Sequence, residues 1–318
     1  MEARYRDHLP PLDGELFLTD GGLETYLIFQ RGIDLPEFAA FDLIKDDAGR
    51  AELSDYYRPY LDLAGRYGAG FIIETPTWRA NPGWGAAVGY DEPGLARVNA
   101  AAVELVEPLR NAADGDGSPV LISGCLGPLD DGYSPGEMLG ADEAQARHSA
   151  QVETFARTSA DAVTAMTITY VEEGIGVARA AAGAGMPSVI SFTVETDGRL
   201  PSGQPLGEAV EEVDSDPGTD VAYFMINCAH PTHFASVTSG GGAWLERIQG
   251  IRANASRMSH AELDEATELD DGDPDDLAAH YFVLHESLPR LNVLGGCCGT
   301  DHRHVSSICS AVIGDALV

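Results

Sequence analysis

Phe17-Leu18-Thr19-Asp20-Gly21-Gly22-Leu23 is a short apolar run that ends in a glycine turn, and the form of that turn separates two folds. An open, doubly wound sheet needs a Gly-rich phosphate turn after an early strand, and Asp20-Gly21-Gly22-Leu23 lacks the G-x-G-x-x-G form. Outward from this turn the chain alternates. Apolar runs at residues 71–75, 120–127, 162–168, 187–193, 223–227, 247–254 and 291–294 make seven further strands. Helical patterns occupy 53–67, 94–109, 142–158, 171–184, 206–213, a stretch starting near Pro231, 275–288 and 302–313. Each strand is apolar on both faces, as in a parallel sheet covered by helices. Eight such repeats predict an α/β chain folded as a closed (β/α)8 TIM barrel. The 318 residues would suffice for two average domains, but such barrels run to this length as one. No break in composition marks a linker, so a single domain over 1–318 is expected.

Chemistry on this fold occurs where strands end and βα loops begin. Two segments place thiols there. Val293-Leu294-Gly295-Gly296-Cys297-Cys298-Gly299-Thr300 follows the eighth strand, and Phe224-Met225-Ile226-Asn227-Cys228 ends the sixth. Adjacent residues of a strand point to opposite faces, so Cys297 and Cys298 can meet one ion only if the chain leaves regular strand geometry. Gly295, Gly296 and Gly299 allow that departure. A disulfide between the adjacent pair would be a strained ring. Three thiolates with a fourth position open is the arrangement of a catalytic zinc. His230, His233, His302 and His304 lie close in sequence to these thiols, which leaves a mixed site open. Cys125 also ends a strand, Cys309 falls in the last helix as a core residue, and the acidic run 262–276 is expected as a solvated loop and helix start.

These segments resemble the homocysteine S-methyltransferase family of zinc-dependent thiol methyltransferases. The resemblance rests on Thr19-Asp20-Gly21-Gly22, Glu74-Thr75-Pro76-Thr77-Trp78, Ser191-Phe192-Thr193, Ile226-Asn227-Cys228 and Gly295-Gly296-Cys297-Cys298-Gly299, and so spans nearly the whole chain. It implies a zinc ion held by Cys228, Cys297 and Cys298, with the acceptor's amino-acid end at Asp20, Gly21, Gly22 and Thr75. One position departs from the family. Its glutamate at the end of strand four is Met166 here, and a thioether cannot pair with an ammonium group. Either Glu74, Glu195 or Glu24 substitutes, or the acceptor is not homocysteine.

The implied reaction moves a methyl group from a cationic donor, of S-methylmethionine, S-adenosylmethionine or betaine type, to a small thiol, with methionine as product when the thiol is homocysteine. A metal deprotonates a coordinating thiol outright, and Phe29, Trp78, Trp84 and Tyr133, in or near βα loops, could wall in such a cation. Two other readings are a methyltransferase fed by a separate corrinoid protein and a non-catalytic thiol- or zinc-binding barrel. The sequence fixes neither the donor nor the oligomeric state.

The five cysteines, an odd number, fit reduced thiols in the cytoplasm better than a disulfide framework. The N-terminus lacks a signal-peptide pattern, and no apolar run reaches membrane-span length. With 51 acidic against 19 basic residues the net charge is −32, which repels nucleic acid and anionic membranes and excludes both as partners. Self-repulsion on this scale destabilises the compact state unless salt screens it, so a salty host cytoplasm is expected. A melting series should therefore show the transition temperature rising from low to molar salt; a flat or falling series would count against that expectation.

Overall fold

The computed structural model describes residues 2–113 and 118–314; the remainder of the expected 1–318 domain lies outside the described residues. Eight parallel strands close into one barrel in sequence order. They are β1 (Phe17–Leu18), β2 (Gly70–Glu74), β3 (Val120–Leu126), β4 (Ala162–Ile168), β5 (Ser188–Phe192), β6 (Val221–Asn227), β7 (Ile248–Ala253) and β8 (Val293–Gly296). Closure is made by β1 against β8, in the register Phe17↔Val293 and Leu18↔Leu294.

The helices are α1 (Leu23–Thr25), α2 (Asp47–Tyr67), α3 (Pro82–Ala87), α4 (Glu92–Ala113), α5 (Ala141–Ala156), α6 (Val171–Gly183), α7 (Leu206–Ser215), α8 (Pro231–Thr238), α9 (His260–Asp264), α10 (Pro274–Ser287) and α11 (His302–Val312). The short α3 and α9 are absent from the periodicity. Each is set by local capping instead, Asn81 accepting from the Trp84 N–H and Ser259 from the Glu262 N–H.

Strand parity sorts the side chains into two cores. Leu18, Phe71, Ile73, Ile122, Val163, Ile190 and Phe224 point outward into the layer beneath the helices. Phe17, Ile72, Leu121, Ala162, Val189, Tyr223, Met225 and Val293 point inward and fill the barrel, with Leu9 of the N-terminal segment packed against them. That segment is anchored by Asp161, whose carboxylate accepts from the backbone N–H groups of Arg4, Tyr5 and Ile122 and from Arg110. The lower barrel is thus apolar and packed. Two residues further along each strand the same inward parity carries Glu74, Ser123, Thr164, Ser191 and Asn227. The expectation of strands apolar on both faces is therefore corrected at the upper end, where the interior becomes polar.

Candidate active site

Cys228, Cys297 and Cys298 converge at the C-terminal mouth of the barrel. Their sulfurs all lie within 4.8 Å of one another, with Cys228 and Cys298 3.6 Å apart. As expected, Cys297 and Cys298 lie beyond the end of β8, in a turn where Gly299 takes a left-handed φ of 79°. Gly295 and Gly296 still belong to β8, and they are needed for close approach: a Cβ on Gly296 would fall 2.0 Å from the Thr300 hydroxyl. Cys228, just past β6, leaves strand geometry as well, with a left-handed φ of 57°. Its strained turn is held by four hydrogen bonds, the longest from the Thr193 hydroxyl to its carbonyl at 3.4 Å. The Cys228 N–H donates to the Arg252 carbonyl, while its own carbonyl accepts from Asn254 Nδ2 at 3.0 Å and His260 Nε2 at 2.9 Å.

Asn227 continues the support. Its Oδ1 accepts from the Ser191 hydroxyl and the Thr167 N–H, its Nδ2 donates to the Thr167 hydroxyl, and Nδ2 lies 3.8 Å from Cys297 Sγ. Arg252, also buried, lies 2.7 Å from Asp20 and donates to the carbonyls of Gly21 and Gly296, tying the loops after β1, β7 and β8 together. Hydrogen bonds from the Cys228 and Cys298 thiols, with the Arg252 charge behind them, pull the Cys297 thiol well below its ordinary range. The same contacts push Cys228 up. The set therefore gives up a first proton readily, and its donor chemistry suits a metal ion.

The histidines of the alternative mixed site stay outside this set. His304 caps α11 with Asp301, and His233 contacts the Arg257 carbonyl. His230, Asp276 and His280 form a second group, but the Arg257 guanidinium, 2.5 Å from Asp276 and 3.4 Å from His280, already sits there as its cation. Cys125 lines the mouth without joining the sulfurs, and burial pushes its thiol pKa well up. Cys309 is core.

Above the sulfurs lies a cavity of about 430 Å³, large enough for two small substrates. Asp20, Gly21, Gly22, Thr75 and Met166 all line it. Two of these polar groups are already engaged: Tyr56 and Arg252 take the Asp20 carboxylate, and the Thr75 hydroxyl accepts from the Cys125 N–H. Of the carboxylates considered in place of Met166, Glu24 and Glu74 line the cavity, whereas Glu195 is bonded to His260. Burial pushes both Glu24 and Glu74 up to about 7. Glu74 Oε2 is buried without a partner.

Among the aromatic residues, Phe29, Trp78 and Tyr133 line the cavity, while Trp84 stacks on Arg79 at 3.6 Å. The acidic run 262–276 is largely exposed and passes from the end of α9 through a loop into the start of α10, as expected. Leu263, Asp264, Ala266, Glu268, Leu269 and Asp270 in it also form part of the cavity wall, with the Ser256 hydroxyl bonded to Asp270.

A thiol triad split between the sixth and eighth strand ends of a closed barrel defines the constellation against which known proteins can be compared. The sequence model of homocysteine S-methyltransferase matches residues 17–312, which takes in all eight strands. The chain belongs to the homocysteine S-methyltransferase family. It is a methyltransferase on that ground. It is also similar to solved structures of the Escherichia coli homocysteine methyltransferase MmuM. The oxidised form of that enzyme is 20% identical, with a TM-score of 0.72 over 94% of this chain and 98% of that one. The metallated form is 21% identical, with a TM-score of 0.68 over 92% and 95%. At such identity the likeness bears on the fold of this methyltransferase, which it matches from end to end.

Sequence reasoning missed Arg252 and the polar inner layer of Ser123, Thr164 and Asn227. The signal was present: each follows, by the strand period of two, an inward apolar or glycine position. The buried Glu74 carboxyl also carries a measurable cost. Its folded pKa is raised, so the folded state holds the proton more tightly, and stability is full below about pH 4.5 and lost as pH rises through about 7. At about 1.4 kcal/mol per pKa unit the loss is on the order of 3 kcal/mol. In the metal- and ligand-free protein, Glu74→Gln should therefore raise stability by about that amount at pH 8 and by little near pH 4, measured by denaturant unfolding. A gain that is equal at both pH values, or absent at pH 8, would contradict this.

Proposed function

We propose that this methyltransferase moves a methyl group from a cationic donor to the sulfur of homocysteine, with Cys228, Cys297 and Cys298 holding a zinc ion. The observation that carries the reading is the convergence of three sulfurs beneath a cavity walled by carboxylates and aromatic rings. Zinc held by those cysteines would supply an acceptor sulfur kept as thiolate at neutral pH, where a free thiol of pKa about 8.5 is mostly protonated. The remaining work falls to the chain itself.

Glu74 is the seat assigned to the acceptor's ammonium group in place of Met166. Its side chain lines the cavity and its Oε2 has no hydrogen-bond partner among the described residues, and a cation there would hold the carboxylate ionised and remove the burial cost. Asp20, fixed by Arg252 and Tyr56, and the tight Gly21-Gly22 turn place the same end of the substrate. The acidic wall of Glu24, Asp264, Glu268 and Asp270 draws in a sulfonium or quaternary ammonium donor, and Phe29, Trp78 and Tyr133 offer it aromatic faces. In the transfer, the acceptor sulfur forms a bond to the methyl carbon as the donor's bond to that carbon breaks, and the donor leaves neutral.

The direct test crosses acceptors and donors on zinc-loaded protein. Homocysteine should be methylated on the order of 100-fold or more faster than 4-mercaptobutyrate, which lacks the amino group; equal rates would remove Glu74 from its assigned role. Cys298→Ala should lose bound zinc and turnover together, by more than the roughly 100-fold that loss of an outer-shell partner costs. Full zinc content in that variant would contradict the assignment.

A further inference from the structure

An enzyme that methylates a bound thiolate faces a hazard of its own making. Three cysteine thiolates stand beside the acceptor sulfur, all within reach of the same electrophile, and methylation of any one would destroy the site. One side chain is placed against this outcome. Tyr133, in the loop between β3 and α5, holds its hydroxyl 3.7 Å from Cys228 Sγ and 3.7 Å from Cys298 Sγ. The ring is kept there by a stacked contact with His260, centroids 4.3 Å apart and planes 11° off parallel.

His260 is in turn fixed on both sides. Its Nδ1 lies 3.0 Å from Glu195, and its Nε2 donates to the Cys228 carbonyl. The support for the phenol and the support for the cysteine backbone are thus the same imidazole. The third sulfur has a separate donor, Asn227 Nδ2 at 3.8 Å from Cys297.

We propose that Tyr133 is a positioning residue that, once both are thiolates, shares its single O–H between Cys228 and Cys298 and so protects them from alkylation, leaving the acceptor sulfur as the preferred nucleophile. A thiolate that accepts a charge-assisted hydrogen bond has part of its lone-pair density committed, and its nucleophilicity falls with its basicity. The side reaction suppressed is transfer of an alkyl carbon to Sγ, a new carbon–sulfur bond formed as the electrophile's leaving group departs, which turns a thiolate ligand into a thioether.

The inference rests on the metal reading above, so zinc content is measured first, and a wild-type protein that binds no zinc defeats that reading rather than this one. With zinc bound and no acceptor present, wild type and Tyr133→Phe are exposed to iodoacetamide, and each cysteine is followed by peptide mass spectrometry. The isosteric ring keeps the shape of the pocket and removes only the hydroxyl. Alkylation of Cys228 and Cys298 should speed up about 10-fold, while Cys297, bonded by Asn227, and the buried Cys309 keep their wild-type rates. Unchanged rates at Cys228 and Cys298, or an equal rise at Cys297 that marks a general opening of the site, would overturn the proposal.

Discussion

The seam between β1 and β8 closes the barrel, and the site depends on it. Two residue pairs make the register, and backbone bonds from Phe17 to Asn292, from Thr19 to Leu294 and from Gly296 to Asp20 extend it at both ends. Only when this seam closes does the last strand deliver Cys297 and Cys298 beside the first turn of the chain. The packing there leaves no room for side chains: a Cβ on Gly22 would meet the Cys297 carbonyl at 2.5 Å. Arg252 reinforces the seam from the neighbouring strand by bonding carbonyls on both sides of it. Barrel closure and assembly of the thiol site are one event, because the same contacts serve both.

The electrostatic balance at the mouth explains why it is a site rather than a core. Asp20, Glu24, Glu74 and three thiols line a cavity to which, among the described residues, only the guanidiniums of Arg79 and Arg252 bring positive charge. Burial first, and then repulsion from neighbouring acidic groups, raises all three carboxyls above their ordinary range, and the Asp20, Glu74 and Cys297 charges in turn hold Arg252 protonated against its own burial. A folded protein gains nothing from such an excess of negative groups. A cation does, and both substrates of the proposed reaction carry positive charge. Stability given up in the empty pocket is returned as binding of the right ligand.

The barrel was legible because its strands are bounded by glycine turns and alternate with amphipathic helices, and all eight were found within a few residues of their ends. The three thiols were legible because glycine-flanked cysteines at strand ends carry a restricted meaning. What escaped was anything requiring the third dimension. Arg252 sits in a run that reads simply as a strand, and only the closed sheet turns it toward Asp20, 232 positions earlier. Tyr133 was one of four candidate wall residues, and its sequence neighbours say nothing of the stack with His260. The acidic run 262–276 is the solvated stretch its charges imply, but that part of it also lines the cavity could not be read from those charges.

The central claim is that three cysteines gather one ion and leave it open to an acceptor thiol. X-ray absorption at the zinc edge, on the loaded protein before and after addition of homocysteine, addresses it directly. Three sulfur neighbours rising to four is the predicted result. A shell containing histidine nitrogen, or a sulfur count that does not change when the thiol is added, would contradict it.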